Sequence, residues 1–461
     1  MSTVNRMYNI HTFPDGLYNI HTFPNGFRMI YEKSINTYPI TSIQTICDLG
    51  SVHEPDHLRG VSHFIEHMCF KGTHKLQSID IFKEYDNTGA YINASTFKRY
   101  TNYVINCHDE NVKVSIETLA DMLLNSVFKK KEYEKEIKVV IEENIKDMDD
   151  SENIIDDLMD SLIYKGSSYE NPIDTISYHK RGSLKYNDVI DFYKLFYQPN
   201  NLILSIVSNL SFSTIVKYIE SSFFIKKSES SFAELNKNNY LLHIPFKIQR
   251  EPQYITKKIN QSSATYLTIA FRTCSQNSPD KYVLNLLKKM LAGYFSSKLF
   301  MLLREDNGLT YTSSVYTQYY ENLGDFTITA ITDPNKLFRN GKKLGVLPLI
   351  INMLNEMSEK GVTNDELILC KNYMRGHFAL KMKDNYASAI HNAEYMLMYS
   401  GIHEYIPYKN MYDVYYKNIT REQIHDVIRK YFKKENMTIC VAGEHNPPIA
   451  SIKNQGDKLI M

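Results

Sequence analysis

His63-Phe64-Ile65-Glu66-His67 brings two imidazoles and one carboxylate into a single pentapeptide. At 3.6 residues per turn a helix stacks His63 and His67 one turn apart with Glu66 beside them. Val61, Ile65 and Met68 then fall on the opposite, apolar side. The segment is therefore expected to be a helix with a core face and a chemical face. Two imidazoles and a carboxylate suit a hydrolytic zinc site, but such a site takes three protein ligands and leaves a fourth position to water. A third ligand is needed. The charged segment Lys131 to Met148 reads as a second helix, with Val140, Ile141 and Ile145 apolar among acids and lysines. On it Glu136 and Glu143, seven apart, share a stripe. Glu143 is read as the ligand, and Glu136 as a carboxylate that orients a ligand or tunes the water. Glu142, one register step away, stays open as the alternative. A solvated helix face with an intrahelical His–Glu pair would show the same five letters, so the surrounding segments have to decide.

Those segments, Leu49-Gly50-Ser51-Val52-His53-Glu54-Pro55 before the pentapeptide and Met68-Cys69-Phe70-Lys71-Gly72-Thr73 after it, resemble the inverted-motif zinc peptidases of the pitrilysin and insulin-degrading enzyme family. The likeness is greatest to short members of the mitochondrial-processing-peptidase catalytic type. It implies a distant glutamate ligand in a Val-Ile-x-x-Glu-like context, which Glu136-Ile137-Lys138-Val139-Val140-Ile141-Glu142-Glu143 matches, with Glu143 76 positions after His67. Phe23-Pro24-Asn25-Gly26-Phe27-Arg28 is similar to the family's opening strand. Gly89-Ala90-Tyr91-Ile92-Asn93-Ala94-Ser95-Thr96 resembles the segment that holds an extended peptide, so Asn93 would contact substrate backbone and Ala94 would lie on the accepting strand edge. Without the resemblance, Asn93-Ala94 reads as part of a core strand. Ser297 to Tyr311 is similar to the family's second-half segment. Carried over, Arg304 would hold substrate and Tyr311 would stabilise the tetrahedral oxyanion.

The resemblance implies one Zn2+ per chain, held by His63, His67 and Glu143, and a metalloendopeptidase acting on extended peptides enclosed between two halves. A cation so bound keeps positive charge, acidifies water and polarises the scissile carbonyl, and Glu66 serves as general base. The alternative is a non-catalytic scaffold or substrate-capturing subunit, a role other members fill; those resemble chains with damaged ligand sets. Short members also imply a homo- or heterodimer with a related chain.

At 461 residues, 43% hydrophobic and 23% charged, the chain is long enough for two domains with sizeable cores. A net charge of +1 gives no global field for nucleic acid. The six cysteines form no Cys-x-x-Cys pair and read as reduced, buried thiols. No apolar run is long enough to suggest a membrane span, and the first residues show neither a signal-peptide core nor an Arg-rich presequence. The expectation is an intracellular, cytoplasmic protein, with a mitochondrial matrix location disfavoured by the missing presequence.

Helix followed by apolar strand closes each half, at Asp188–Tyr193 with Leu202–Val207 and at Asp426–Tyr431 with Met437–Ala442. Val61–Met68 can be laid on Val283–Met290 with apolar positions matching, while His63, Glu66 and His67 meet Asn285, Lys288 and Lys289. The second half thus reads as a scaffold without metal ligands. Strands are expected near 41–49, 99–107, 265–272 and 325–332, and a helix over 115–128. The fold class is α+β: two related halves, each a mixed, largely antiparallel sheet with helices on one face. The boundaries are 1–223 for the metal-binding half, 224–247 for a polar linker and 248–461 for the second half. Finally, Tyr8–Gly16 recurs as Tyr18–Gly26, and the first copy reads as an extra edge strand or a disordered lead.

Overall fold

The computed structural model describes residues 9–12, 16–173, 184–227, 247–260, 262–339, 343–398, 405–445 and 447–460. Most of the linker expected at 224–247 lies outside the described residues. Two compact units form. The first comprises residues 1–145, 172–243 and 379–409, and the second 146–171, 244–378 and 410–461.

The first unit is built on a seven-stranded sheet: β1 (Asn9–Thr12), β2 (Tyr18–Thr22), β3 (Arg28–Lys33), β4 (Ile40–Cys47), β5 (Tyr91–Thr96), β6 (Thr101–His108) and β7 (Leu202–Ser208), in the order β1-β2-β3-β7-β4-β6-β5. Only β3 and β7 run parallel. The second unit has five strands: β8 (Gln253–Lys258), β9 (Thr265–Thr273), β10 (Thr310–Tyr319), β11 (Gly324–Thr332) and β12 (Met437–Gly443), in the order β10-β11-β9-β12-β8. Only β8 and β12 are parallel. Read from the parallel pair outward, β8-β12-β9-β11-β10 repeats β3-β7-β4-β6-β5 strand for strand. The two halves are thus related in topology, and the mixed, largely antiparallel α+β class holds. The first copy of the N-terminal repeat supplies β1, an extra edge strand antiparallel to β2.

Five helices matter for the site and the units: α1 (Val61–Cys69), α2 (Lys130–Asp149), α3 (Ser151–Ile163), α4 (Asp280–Ala292) and α5 (Asn385–Met398). In chain order α1 falls between β4 and β5, and α4 between β9 and β10, so the likeness of Val61–Met68 to Val283–Met290 joins equivalent positions. On α4 no metal donors replace the histidines. Lys288 Nζ donates to Thr317 Oγ1 at 2.9 Å, and Thr317 donates to Asn285 Oδ1 at 3.0 Å.

One face of the first sheet carries Met29, Tyr31, Ile43, Cys47, Leu204 and Ile206, packed against α1 and the helices Val112–Leu124, Tyr186–Phe196 and Phe212–Glu220. The opposite face, with Ile30, Ile46 and Ile203, is covered by Ala393, Tyr395 and Met396 of α5. Helices on one face is therefore the main layer, and a single helix adds a second. That helix comes from the far end of the sequence. Reciprocally, α3 belongs to the second unit, packed on β9 and β12 with Ile155, Met159 and Ile163 buried. The expected division at 1–223 and 248–461 thus needs correcting, because each half of the chain lends one helix to the other unit's sheet. The reason is burial: apolar residues alternate with polar ones on these second faces, and leaving Ile30, Ile46 and Ile203 in water would cost about 1.5–3 kcal/mol each.

The helix expected over 115–128 runs from Val112 to Leu124. At its end the Asn125 N–H still donates to the Asp121 carbonyl at 2.9 Å, and Ser126 Oγ takes the Met122 carbonyl at 2.8 Å in place of a backbone donor. All six cysteines are buried and free, as their apolar settings suggested. Among the described residues, no helix is long and apolar enough to cross a membrane.

Candidate metal centre

Helix α1 begins after Gly60, whose φ of +84° lies in the left-handed region that favours glycine. Its first amide groups are met by Glu54, which is buried: Oε2 accepts from the Gly60 N–H at 2.7 Å and Oε1 from the Ser62 N–H at 2.8 Å. A carboxylate at this end also suits the helix dipole. Burial pushes Glu54 up to about 7 from 4.5, although hydrogen bonds from Ser62 and Gly60 pull it down. The folded chain then holds this proton more tightly than the unfolded one. The associated stability is complete below the unfolded value and is lost as pH rises through the folded one, a swing of roughly 3 kcal/mol at 1.36 kcal/mol per unit. Glu54→Gln should flatten this decline in urea unfolding followed from pH 5 to 8; an unchanged slope would assign it to other groups.

Val61, Phe64, Ile65 and Met68 are fully buried on the core side of α1. Phe64 meets Tyr133 of α2 edge to face, ring centroids 4.9 Å apart, and the Tyr133 hydroxyl donates to the Leu184 carbonyl at 2.7 Å. Tyr133, Glu136, Val140 and Asn144 form the buried stripe of α2. Packing Tyr133 on Phe64 therefore sets the stripe containing Glu136 against the chemical side of α1, with Glu143 two turns further on.

There His63 Nε2 and His67 Nε2 stand 3.1 Å apart, and a Glu143 oxygen lies 3.4 Å from His67 Nε2. These three side chains are the one group of His, Cys, Asp or Glu donors among the described residues gathered closely enough for a metal ion, all within 4.8 Å. Donors about 2.0–2.2 Å from one tetrahedral zinc lie roughly 3.3–3.6 Å from each other; the 3.1 and 3.4 Å separations lie close to that range, and two imidazoles with one carboxylate are a donor set that suits the ion. Glu143, and not Glu142, stands in the group. Glu136 is placed behind it: its Oε1 lies 2.9 Å from His67 Nδ1, and its Oε2 accepts from Lys71 Nζ at 2.6 Å. A carboxylate at Nδ1 takes the ring N–H there and leaves the Nε2 lone pair facing Glu143 and His63. Burial alone would raise Glu136, but the bonds from His67 and Lys71 and the lysine charge outweigh it and hold the carboxyl below its ordinary value.

Glu66 stays outside the donor group. It is 8% exposed, and Thr96 Oγ1 donates to its Oε2 at 2.5 Å. Burial raises its pKa, more than the Thr96 hydrogen bond and the two histidines lower it. Thr96 ends β5, the edge strand of the sheet. Asn93 and Ala94 lie on the same strand; Asn93 is exposed, with Nδ2 donating to the Tyr91 hydroxyl at 3.1 Å. In the second unit Arg304 sits on a short helical segment, Phe300–Glu305, with its guanidinium 5.4 Å from the centre of the Tyr311 ring. Tyr311 falls where the register of β10 against β11 shifts, between Thr310 and Thr312, and is 83% exposed. Such an irregularity turns a side chain out of the ladder.

Glu54, Lys71 and Thr96 were not singled out from the sequence. All three stand inside the quoted family-like segments, but nothing local marks a carboxylate as a helix cap or a lysine as the partner of an acid 65 positions away.

Comparison with known proteins agrees with this architecture. Residues 29–175 match the model for Insulinase (Peptidase family M16), and residues 183–374 match that for the Peptidase M16 inactive domain. A protein of Rickettsia felis called an uncharacterized zinc protease is 30% identical over 392 residues, 85% of this chain and 89% of its own. The uncharacterized zinc protease YmxG of Bacillus subtilis is 27% identical over 409 residues, 87% of this chain and 92% of its own. A crystal structure of a protease from Helicobacter pylori shares the fold with a TM-score of 0.82 at 19% identity, over 92% of this chain and 99% of that one. The chain belongs to the insulinase family of zinc metallopeptidases, peptidase family M16.

Proposed function

We propose that this chain is a zinc-dependent endopeptidase that cleaves extended peptides or unfolded segments. The observation that carries the reading is the convergence of His63, His67 and Glu143 with Glu66 beside them and outside the donor set. When bound, zinc supplies a Lewis acid that acidifies water and polarises the scissile carbonyl. His63, His67 and Glu143 hold the ion, and Glu136 fixes the His67 ring through Nδ1. Glu66 takes a proton from the attacking water and returns it to the leaving amine. Thr96 holds one Glu66 oxygen and leaves the other to the water.

The substrate is read as a peptide because β5 is an edge strand, whose unpaired backbone groups can take an added strand. Asn93 and Ala94 would then line the accepting edge. Arg304 would hold substrate and Tyr311 would donate to the oxyanion, roles that rest on the family resemblance. Tyr311→Phe should slow cleavage without changing zinc content, and wild-type rates in that variant would remove Tyr311 from the site. The working assembly is taken to be a pair of related chains, as in the short members; a mass of one chain in sedimentation at working concentration would remove that part.

A second reading, a non-catalytic subunit, is favoured by the match of 183–374 to an inactive domain. That match, 183–374, contains none of the metal donors, whereas the first unit keeps the full set. Zinc content together with hydrolysis of a quenched peptide separates the two. Bound zinc with no cleavage of any of a panel of extended peptides would favour the subunit.

A further inference from the structure

We propose that Lys71 is a positioning residue for the metal centre, acting through Glu136 on the orientation of His67. The inference rests on the reading of His63, His67 and Glu143 as zinc ligands. The three side chains form a line: Lys71 Nζ to Glu136 Oε2 at 2.6 Å, and Glu136 Oε1 to His67 Nδ1 at 2.9 Å. Lys71 lies four residues beyond His67, just past the end of α1, so a helical continuation would stack it over the same face. The chain instead turns. Phe70 and Lys71 donate back to the His67 and Met68 carbonyls, and Gly72 follows at φ +117°. The Gly72 carbonyl accepts from Val127 N–H at 3.2 Å, and Thr73 Oγ1 donates to Asp121 Oδ2 at 2.5 Å. The backbone carrying Lys71 is thus tied down on both sides.

The Glu136 side chain is 4% exposed, so little water is at hand to take over an oxygen that loses its partner. A glutamate turns about three single bonds, and one hydrogen bond to His67 leaves the carboxylate free to swivel about that oxygen. The lysine bond at the second oxygen removes this freedom. It fixes the plane of the carboxylate, and with it the direction in which His67 Nε2 points. Lys71 also offsets the Glu136 charge, so the buried carboxylate holds the imidazole without adding an uncompensated negative group behind it.

The test is competition for zinc against a chromophoric chelator, on the full chain, with Lys71→Met, Lys71→Arg and wild type. Lys71→Met keeps the length of the stem and loses the donor. It should bind zinc about 10–100-fold more weakly, the usual effect of removing an outer partner of a ligand. Lys71→Arg, which can still donate to Glu136, should recover most of that loss. Lys71→Met also leaves a buried Glu136 oxygen unpaired, so the zinc-free variant should melt below wild type; a merely structural contact would shift that melting and leave zinc affinity alone. Equal affinity in wild type and Lys71→Met, or an equal loss in Lys71→Arg, overturns the role of Lys71 while the zinc reading stands. A wild-type chain that binds no zinc overturns both.

Discussion

Glu66→Gln should lower peptide cleavage by about 10²–10⁴-fold, the range a general base contributes, while zinc content stays near that of the wild type. The amide keeps the volume of the carboxyl and can still accept from Thr96, so neither α1 nor the end of β5 needs to move. What it loses is the ability to take a proton. His63, His67 and Glu143, the side chains gathered closely enough for an ion, are not touched by the substitution. Metal analysis beside a cleavage assay reads both quantities, and zinc loss equal to that of a ligand variant would show that Glu66 belongs to the donor set.

Replacing a ligand should act differently. His63→Ala, His67→Ala and Glu143→Ala should each lose zinc, and cleavage with it, because two protein donors rarely hold zinc in place of three. His67→Ala is expected to be the most disruptive to the apoprotein, since it also strands the buried Glu136 opposite Lys71. Glu143 has a side chain 46% exposed and no such partner behind it among the observed bonds, so its removal should spare folding and cost only metal. Zinc analysis after dialysis against a weak chelator distinguishes the cases. Retention of one zinc per chain by Glu143→Ala would exclude it as a ligand.

The chemical half of α1 was legible at once, because stacking at i and i+4 is a property of the helix itself and needs no tertiary information. The same holds for its core face: Val61, Ile65 and Met68 are buried as their spacing required. The third donor was legible as Glu143, with Glu142 one register step away left open. Glu142 and Glu143 lie 100° apart around α2, and the choice between them is made by Tyr133 seating on Phe64, a contact between segments far apart in the chain. Lys71 shows the same limit more sharply. Its partner is fixed by how the end of α1 meets α2, and no spacing rule connects positions 71 and 136.

The exchange of helices was hidden for another reason. In β4, Ile43 and Cys47 face one way, and Ser42, Gln44 and Ile46 the other. Such a strand reads as half solvated, yet Ser42, Gln44 and Ile46 are all buried, and Asn102 Nδ2 donates to Gln44 Oε1 at 2.8 Å on that side. Polar pairing of this kind lets a helix cover a face that alternation alone assigns to water. Asn392 of α5 donates to the buried Glu32 at 2.8 Å, and the Tyr100 hydroxyl donates to Glu394 at 2.7 Å, so the covering helix is docked by hydrogen bonds as well as by apolar contact.

By itself, then, the sequence determined the helix that carries both imidazoles, the helix-then-strand pair that closes each half, and the lack of metal donors on α4, because these follow from periodicity within single segments. Tertiary structure alone decided that Glu143 rather than Glu142 stands beside the imidazoles, that Lys71 meets the carboxylate behind them, and which helix covers each sheet's second face. Those outcomes depend on distances between segments that the chain separates by tens to hundreds of residues, and only packing sets such distances.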